Sequence, residues 1–481
     1  MLALFLLLTS ALPIQPQLEA ALLDAVAGSC PGSKVALDRD LTRACQSYAA
    51  AVGSGKAPIS GTAVSFYASL ESAEPAPVAG VARVSPAAQA DRAVSDLFPR
   101  SCRFNRAGVA AALLPSGEAV VCALTADHQT DLARIPGSVE EFDMVQVSGR
   151  LGAGLSRPRL FVTRPSGEVS ELGMVASGGD FSTRVQLRET GEHSLEVLAD
   201  GAGGPQVVAL RRVFAGVKPP ASPPPEPRSD KGLAGVEAAV ARLRASRGLP
   251  ALQRDDELDA VARGHSQEMA RTRTFAHVLP SDGSMADRLR ERGYGYRSAG
   301  ENIGLAGDSA AAHEAIVASP AHLANLLDPR HRRLGLGEAR GPSPDGGEVV
   351  YLTELFAAPV VKSADPLREV VLQVEAERKR LHLPALQRDA ALDQIAQREA
   401  ASAAQGGEAK LSGQTVGRAL AAAPSLQSAI VELFVGGGPD VVTTSKNLAE
   451  PQWTRLGAGA VYAGSKAWGA GSLWVVLLYG R

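Results

Sequence analysis

The chain has 481 residues, of which 45% are hydrophobic and 21% are charged. This is the composition of a globular protein, and the length predicts three or four domains at the usual size of about 100–200 residues each. The formal net charge is −2 at pH 7, and no run of lysine or arginine is present. The basic stripe or patch that nucleic-acid binding requires is therefore excluded, and no nucleic-acid partner is expected.

The N-terminus, 1–11, resembles a shortened secretory signal peptide. An apolar stretch, 2–8, leads into the small residues Thr9, Ser10 and Ala11, although the usual positively charged start is missing. The alternatives are a buried N-terminal strand and a misplaced start. No later apolar run approaches the roughly 20 residues needed to span a bilayer. We therefore expect a secreted or cell-envelope protein without a transmembrane segment.

The four cysteines, Cys30, Cys45, Cys102 and Cys122, all lie in the first quarter of the chain. None has the Cys-x-x-Cys spacing of a metal or redox site, so disulfides formed in an oxidising compartment are the better interpretation. Of the three ways to pair them, the most local one joins Cys30 to Cys45 and Cys102 to Cys122. We prefer that pairing.

Two domains are predicted before a proline-rich break. The first, 18–127, contains a helical pattern at 41–51 and a hairpin at 106–126 that turns at 115–117. The second, 137–217, has alternating runs at 159–163, 183–187 and 194–198 separated by glycine turns, which predict a small antiparallel, immunoglobulin-like β-sandwich. It shows no cluster of titratable residues, so we interpret it as a spacer or interaction module.

The proline-rich segment 218–231 predicts a semi-rigid polyproline linker. After it come a third domain, 232–358, and a fourth, 366–481, which repeat each other. Leu-Pro-Ala-Leu-Gln-Arg-Asp at 249–255 returns at 383–389, and Leu-Gly-Leu-Gly at 334–337 returns as Leu-Gly-Ala-Gly at 456–459. The first domain echoes the start of this pattern at 36–40. We interpret it as a third and more divergent copy.

The third domain holds five of the eight histidines. Asp255 or Asp256 can cap a helix with one apolar face. That face contains Leu258, Val261, Ala262, His265 and Met269. His265 is therefore predicted to be a hydrogen-bonded core histidine and not a ligand. His313 and His331 are given no role.

A second helix start is predicted at Ser319-Pro320, because serine supplies an N-cap oxygen and proline loses no hydrogen bond at the first helical position. His322 then lies in the first turn, where the positive end of the helix dipole disfavours an imidazolium. A neutral imidazole there is suited to accept a proton or to bind a metal. The domain closes with two predicted strands, 333–338 and 348–356.

In this order, the pieces of the third domain resemble the bacterial form of the CAP superfamily, also called SCP or PR-1-like. The resemblance covers about 236–356 and rests on several motifs. These are Phe275-Ala276-His277, Gly300-Glu301-Asn302-Ile303, Ser319-Pro320-Ala321-His322-Leu323-Ala324-Asn325, Gly335-Leu336-Gly337 and the terminal Phe356. The fourth domain is similar only in its framework.

The resemblance implies an α+β fold, with tandem α-β-α sandwich domains beside the β-sandwich. It also implies a surface cleft in which two histidines and two acidic residues meet, and which holds a divalent metal in some members. Matched by motif, the cleft residues are His277, Glu301, Asn302, Ser319 and His322. The fourth acidic position falls at or near Ser319, so one carboxylate is missing. His277, Glu301 and His322 still match a zinc ligand set.

The other domains lack these residues. In the fourth domain the counterpart of His322 falls near Thr444 and that of His277 near Leu411, and no Gly-Glu-Asn-Ile is present. The first domain has no histidine between Cys30 and Ala126. Any cleft chemistry is therefore assigned to the third domain, with the copies as packing partners or altered binding surfaces.

The favoured function is a non-enzymatic binding protein whose cleft takes a lipid, an envelope glycan or peptide, or another protein, because kinship of fold does not specify an activity. The alternative is a metal-dependent hydrolase that uses a zinc-bound water. His313-Glu314 lacks the second histidine of a zincin motif, and no Gly-x-Ser-x-Gly elbow offers another nucleophile. A structural multi-domain envelope protein is the third hypothesis.

Overall fold

The computed structural model describes residues 13–481 except 31, 33, 98–101, 224–231, 345–346, 361 and 466–467. The predicted signal segment, 1–11, and the second half of the predicted proline-rich linker lie outside the described residues. The described residues form five β-sheets with helices packed on three of them. None of the helices in this part of the chain is long and apolar enough to cross a membrane.

The first domain is a four-stranded sheet with helices on both faces. Its elements are α1 (Gln15–Ser29), β1 (Ala36–Leu37), α2 (Arg39–Gly53), α3 (Gly61–Glu71), β2 (Val78–Val84), α4 (Ala90–Ala93), β3 (Arg106–Leu113) and β4 (Ala119–Ala126). The strand order is β1-β3-β4-β2, with β1 parallel to β3 and the other pairs antiparallel. The predicted helix and hairpin are present as α2 and as β3 with β4.

The disulfides are Cys30–Cys102 and Cys45–Cys122, so the preferred local pairing is wrong. Cys45 lies on the buried face of α2, which packs against the sheet where β4 carries Cys122. Cys30 ends α1, which packs on the opposite face of that sheet. Each bond therefore fixes one helical layer. Their sequence separations of 72 and 77 residues are long, and such cross-links stabilise a fold by roughly 2–4 kcal/mol.

The second domain consists of two β-sheets around one core. Its strands are β5 (Thr130–Leu132), β6 (Ser138–Val139), β7 (Met144–Leu151), β8 (Ser156–Thr163), β9 (Val169–Gly173), β10 (Val175–Ser177), β11 (Asp180–Gln186), β12 (Gly191–Gly201) and β13 (Gly204–Ala215). The sheets are ordered β10-β11-β7-β5 and β6-β13-β12-β8-β9. Alternate apolar residues of both sheets point into the shared core of this sandwich, which explains the period-2 pattern in the sequence.

The third domain has helices on both faces of its sheet, which makes three layers. Its elements are α5 (Gly232–Ser246), β14 (Gln253–Arg254), α6 (Asp256–Thr272), α7 (Met285–Glu291), β15 (Tyr296–Ala306), α8 (Ser309–Ala318), α9 (Pro320–Leu327), β16 (Arg333–Pro342) and β17 (Glu348–Pro359). The strand order is β14-β16-β17-β15. Along β17, Leu352 and Phe356 face α5, α8 and α9, whereas Leu355 and Ala357 face α6 and α7.

Both predicted helix caps of the third domain are confirmed. Asp255 accepts the backbone amides of Glu257 and Leu258 at the start of α6. Ser319 caps α9, with Pro320 in its first turn. The apolar face predicted for α6 is buried, and the closing strands are β16 and β17.

The fourth domain repeats this order in shorter form. Its elements are α10 (Pro366–Arg380), β18 (Gln387–Arg388), α11 (Ala390–Gly406), α12 (Thr415–Ala422), β19 (Ala429–Gly436), β20 (Arg455–Ser465) and β21 (Gly469–Gly480). The strand order, β18-β20-β21-β19, places each strand as in the first and third domains. Where the third domain has α8 and α9, it has two short 3₁₀ turns, Pro439–Thr444 and Asn447–Ala449.

A buried arginine occupies the same place in the third and fourth domains. Arg244 on α5 and Arg378 on α10 are almost fully buried, and each donates to four backbone carbonyls. The acceptors are Pro250, Leu326, Asp328 and His331 for Arg244, and Pro384, Leu448, Glu450 and Trp453 for Arg378. Each guanidinium thus ties its helix to the loop that leads into the sheet.

The sheets of the first, third and fourth domains share a glycine at the same strand position. At Gly108, Gly335 and Gly457, a Cβ atom would lie 2.8, 2.4 and 2.3 Å from the Cβ of a helix leucine, which is Leu41, Leu258 and Leu392 respectively. Real Cβ atoms do not approach this closely, so only glycine lets the helix lie directly on the strand. This contact accounts for the recurring Leu-Gly pattern in the sequence.

Candidate functional site

His277, Glu301 and His322 come together although three separate stretches of chain carry them. His277 follows α6, Glu301 lies on β15 and His322 is in the first turn of α9. The Nδ1 atom of His277 is 3.0 Å from Oε1 of Glu301. The imidazole rings of His277 and His322 lie 6.1 Å apart, centroid to centroid, with planes tilted by 34°. The three side chains thus form one polar cluster, which we call the cleft after the position that the resemblance predicts.

Arg288 on α7 is the partner of Glu301 that sequence reasoning missed. Its Nη2 atom donates to Oε2 of Glu301, and both side chains are buried, with exposures of 6% and 4%. The other terminal nitrogen donates to the carbonyls of Gly283, at 2.9 Å, and His277, at 3.3 Å. Burial alone would raise the pKa of Glu301, but the hydrogen bond with His277 and the charges of His277 and Arg288 outweigh it and lower the pKa.

His322 is held neutral. Burial, together with the nearby His277, lowers the pKa of His322 to about 3. Its position in the first turn of α9 acts in the same direction, because the positive end of the helix dipole disfavours a cation. The expected neutral imidazole at this position therefore has three physical causes, which are burial, the neighbouring His277 and the helix dipole.

Asn302 supports the cleft residues through hydrogen bonds to neighbouring elements. It is fully buried, and its Nδ2 atom donates to the carbonyl of His322 at 3.1 Å and to Glu354 at 3.3 Å. Its Oδ1 atom accepts from Asn325 at 2.9 Å. Glu354 in turn lies 2.6 Å from Nδ1 of His313, which gives that histidine a structural role. This network joins β15 and β17 to α8 and α9.

A carboxylate does lie at Ser319, but it comes from the β-sandwich. Ser319 Oγ donates to Oε1 of Glu196 at 2.6 Å, and the amide of Ala321 donates to Oε2 at 2.6 Å. Glu196 on β12 is fully buried, and burial raises its pKa to about 7 against the opposing effect of these two hydrogen bonds. A buried carboxylate from another domain thus contacts Ser319, the residue at or near which the resemblance places the missing acidic position.

The remaining histidines of the third domain are structural. His265 is buried, as predicted, with Nδ1 2.7 Å from Asp282 and Nε2 3.1 Å from the carbonyl of Ala276. It therefore supports the segment that carries His277. His331 stacks on Phe356 with ring centroids 5.7 Å apart.

The residues of the cleft do not fit a zinc ion in this arrangement. Both carboxylate oxygens of Glu301 are already engaged, one with His277 and the other with the guanidinium of Arg288, which would repel a cation. In the part of the chain that the structure describes, no group of three or more His, Cys, Asp or Glu side chains could hold a metal ion. Zinc binding through His277, Glu301 and His322 stays a prediction, and it requires that Glu301 first releases a partner.

The corresponding region of the fourth domain has a different ion pair. Leu355 is opposite Glu301 in the third sheet, and its counterpart Leu478 is opposite Val431. Arg418 on α12 pairs instead with Glu399 on α11, at 3.0 Å. The acidic partner of this arginine therefore comes from a helix and not from the sheet. The single histidine of this domain follows α10 in the chain and matches neither cleft position.

Comparisons with known proteins identify the third domain. Residues 237–356 match the model of the family "CAP: Cysteine-rich secretory protein family". Two Bacillus subtilis (strain 168) proteins align with the chain: the uncharacterized membrane protein YlbC is 37% identical over 99 residues, and the uncharacterized protein YkwD is 36% identical over 97 residues. Each alignment covers 20% of this chain, and they span only 29% and 37% of the two relatives.

Solved structures of bacterial surface and extracellular proteins are also similar. An extracellular protein containing a SCP domain from Bacillus anthracis str. Ames is 18% identical, with 48% of this chain and 89% of that chain covered and a TM-score of 0.23. An outer surface protein from Borrelia burgdorferi is 20% identical, with 27% and 98% covered and a TM-score of 0.24. Residues 237–356 are therefore a CAP domain, as the resemblance predicted for this part of the chain.

Proposed function

We propose that this chain is a secreted or cell-envelope binding protein without enzymatic activity. Its ligand is a lipid, an envelope glycan or peptide, or another protein, held at the cleft of His277, Glu301 and His322. Two disulfides support an extracytoplasmic location, because such bonds persist in oxidising compartments.

The observation that carries this proposal is the neutralised state of Glu301. A hydrolase needs a carboxylate or imidazole that is free to take a proton from water, or a metal that activates the water. Glu301 is instead paired on both oxygens, and the low pKa of His322 makes it a weak base. Such a site can recognise a ligand by hydrogen bonds and shape, but it offers no activated nucleophile.

The first and fourth domains are, in this proposal, degenerate CAP copies that act as packing partners or altered binding surfaces. Their sheets have the same strand order as the third, and the same glycine lies under the same helix. The ion pair of Arg418 with Glu399 gives the fourth domain a different surface at the position of the cleft.

The test is native mass spectrometry of the full chain, isolated from the extracytoplasmic fraction of its own cells. We expect a bound organic molecule in the wild type. The bound amount should be at least about tenfold lower in the double variant His277→Asn, His322→Asn, because both imidazoles belong to the cleft. The matched control is His382→Asn, since His382 is exposed in the fourth domain and has a positive φ of 56° that asparagine tolerates.

The same spectra also separate the alternatives. A chelator-sensitive mass of one zinc ion that disappears in the double variant would establish the metal site and contradict the neutralised cleft. An equal amount of organic ligand in the double variant and in the wild type would contradict binding at this cleft.

A further inference from the structure

We infer that the β-sandwich is a built-in partial cover of the CAP cleft, and that lifting of its β12–β13 hairpin opens His277 and His322, which are only partly exposed, to a ligand. This inference rests on the proposed binding function of the cleft. It adds what controls access to that site, and it gives the second domain a role beyond that of a spacer.

The turn of the hairpin lies directly on the segment that carries His277. The carbonyl of Gly203 accepts the backbone amide of Val278 at 3.0 Å. A Cβ atom at Gly204, which has a φ of +90°, would lie 3.1 Å from the Cβ of His277 and 3.2 Å from a methyl group of Val278. A Cβ at Gly203 would lie 3.0 Å from that of Ala276. A side chain at either glycine would therefore press on the segment 276–278, and glycine allows the close approach of the turn.

Glu196, on the strand that leads into this turn, holds the opposite side of the cleft. Its carboxylate accepts from Ser319 Oγ and from the amide of Ala321, next to His322. One hairpin therefore contacts both of the segments that carry the imidazoles. A charge-assisted pair of hydrogen bonds at the start of α9 fixes it there.

The contact between the β-sandwich and the third domain is weak enough to open. The two domains pack incompletely, because they leave a groove of about 680 Å³ between the turn at Gly167 and the loop at Pro329, lined in part by Ala324 and Leu327 of α9. Burial raises the pKa of Glu196 to about 7, so its two hydrogen bonds do not fully replace the water that the carboxylate gives up. Contacts between domains of one chain are commonly of this weak, polar kind.

The test measures how fast diethyl pyrocarbonate modifies His277 and His322 in the full chain, by peptide mapping. Opening variants are Glu196→Ala and Gly204→Asn, the second chosen because asparagine tolerates a positive φ while its side chain meets His277. Each is expected to speed modification of the two imidazoles about tenfold, as loss of one charge-assisted contact implies. The exposed His382 calibrates the reagent and should react equally in all variants.

Two further variants protect the test against misfolding. Glu192→Ala removes a more exposed carboxylate of the same strand, paired with Arg212, and should leave the rates unchanged. Gly203→Cys with Ala276→Cys places two thiols close to disulfide distance, so the oxidised form should lock the hairpin and slow modification below the wild-type rate. Equal imidazole reactivity in the opened, wild-type and locked forms would overturn the cover.

The two proposals fail separately. If modification of the two imidazoles is faster in the opened variants and slower in the locked form, but native mass spectrometry finds no ligand, the cover is supported and the binding function fails. If a ligand is bound and exchanges equally fast in the locked and opened forms, the binding function stands and the cover is overturned.

Discussion

Replacing Arg378 by methionine is expected to destabilise the fourth domain by about 3–5 kcal/mol, because four carbonyl groups in buried or part-buried hydrogen bonds lose their donor at once. These are the carbonyls of Pro384, Leu448, Glu450 and Trp453. Arg378→Lys should recover only part of the loss, since an ammonium group cannot reproduce the planar fork of five donors. The arginine is thus expected to be the main tie between α10 and the loop before β20.

Tryptophan fluorescence during denaturant unfolding measures this effect, because the only three tryptophans of the chain, Trp453, Trp468 and Trp474, are all in the fourth domain. Arg380→Met is the matched control. Arg380 lies on the same helix but is 67% exposed and pairs with Glu377 at the surface, so its loss should cost less than about 1 kcal/mol. Equal midpoints for the two methionine variants would contradict the structural role of Arg378.

The second large effect is expected for Glu301→Gln, at about 3 kcal/mol in the third domain. The substitution leaves the buried guanidinium of Arg288 without its main counter-charge, and a buried charge that loses its partner destabilises by about 3–5 kcal/mol. We expect a loss at the lower end of this range, because Arg288 keeps a second carboxylate nearby, that of Asp282 at 3.5 Å.

Hydrogen exchange of peptides from α7 and β15 reports this change, since the third domain has no tryptophan. The double variant Glu301→Gln, Arg288→Met should lose less stability than the sum of the two single variants, by about 1–3 kcal/mol, because the two residues interact directly. Glu291→Gln, an exposed carboxylate at the end of α7, is the control and should change little. Strict additivity of the two cleft substitutions would show that the ion pair is not formed.

Local features of the third domain could be predicted from sequence because they depend on near neighbours. The caps at Asp255 and Ser319 and the apolar face of α6 follow from residues within one or two turns. The convergence of His277, Glu301 and His322 did not follow from such rules. It was implied only by the resemblance to the CAP superfamily, since contacts between distant stretches leave no local pattern.

The residues that sequence reasoning missed are those with distant partners. Arg288 sits among other arginines of α7, and nothing local separates it from the exposed Arg290. Glu196 belongs to an alternating strand pattern in which a charged residue normally faces solvent, yet its side chain enters the neighbouring domain. Glu354 did leave a signal, because a carboxylate in the middle of a mostly apolar strand needs a buried partner.

The disulfides do not follow sequence proximity for a related reason. The local pairing closes the shortest loops, which lose less entropy on closure, but that advantage grows only slowly with loop length. The fold places Cys45 over the middle of the sheet, next to Cys122, and the packing of α2 on β3 and β4 decides the pairing. Tertiary packing is therefore the larger effect.

The cleft of the third domain combines a neutral His322 with Glu301, whose charge is compensated by Arg288. Histidine-selective NMR of the full chain, with His322→Asn to assign the signal, measures the protonation of this imidazole. Because the pKa of His322 is lowered to about 3, its imidazole should stay neutral as the pH falls from about 7 to about 4, while an unfolded chain takes up a proton near its ordinary pKa of about 6.5. The unfolded chain therefore binds a proton at this residue that the folded chain does not. The free energy of unfolding should accordingly fall as the pH drops below about 6.5. A signal that remains neutral to about pH 4 is the predicted result, and a titration of His322 centred near pH 6.5 would contradict the account.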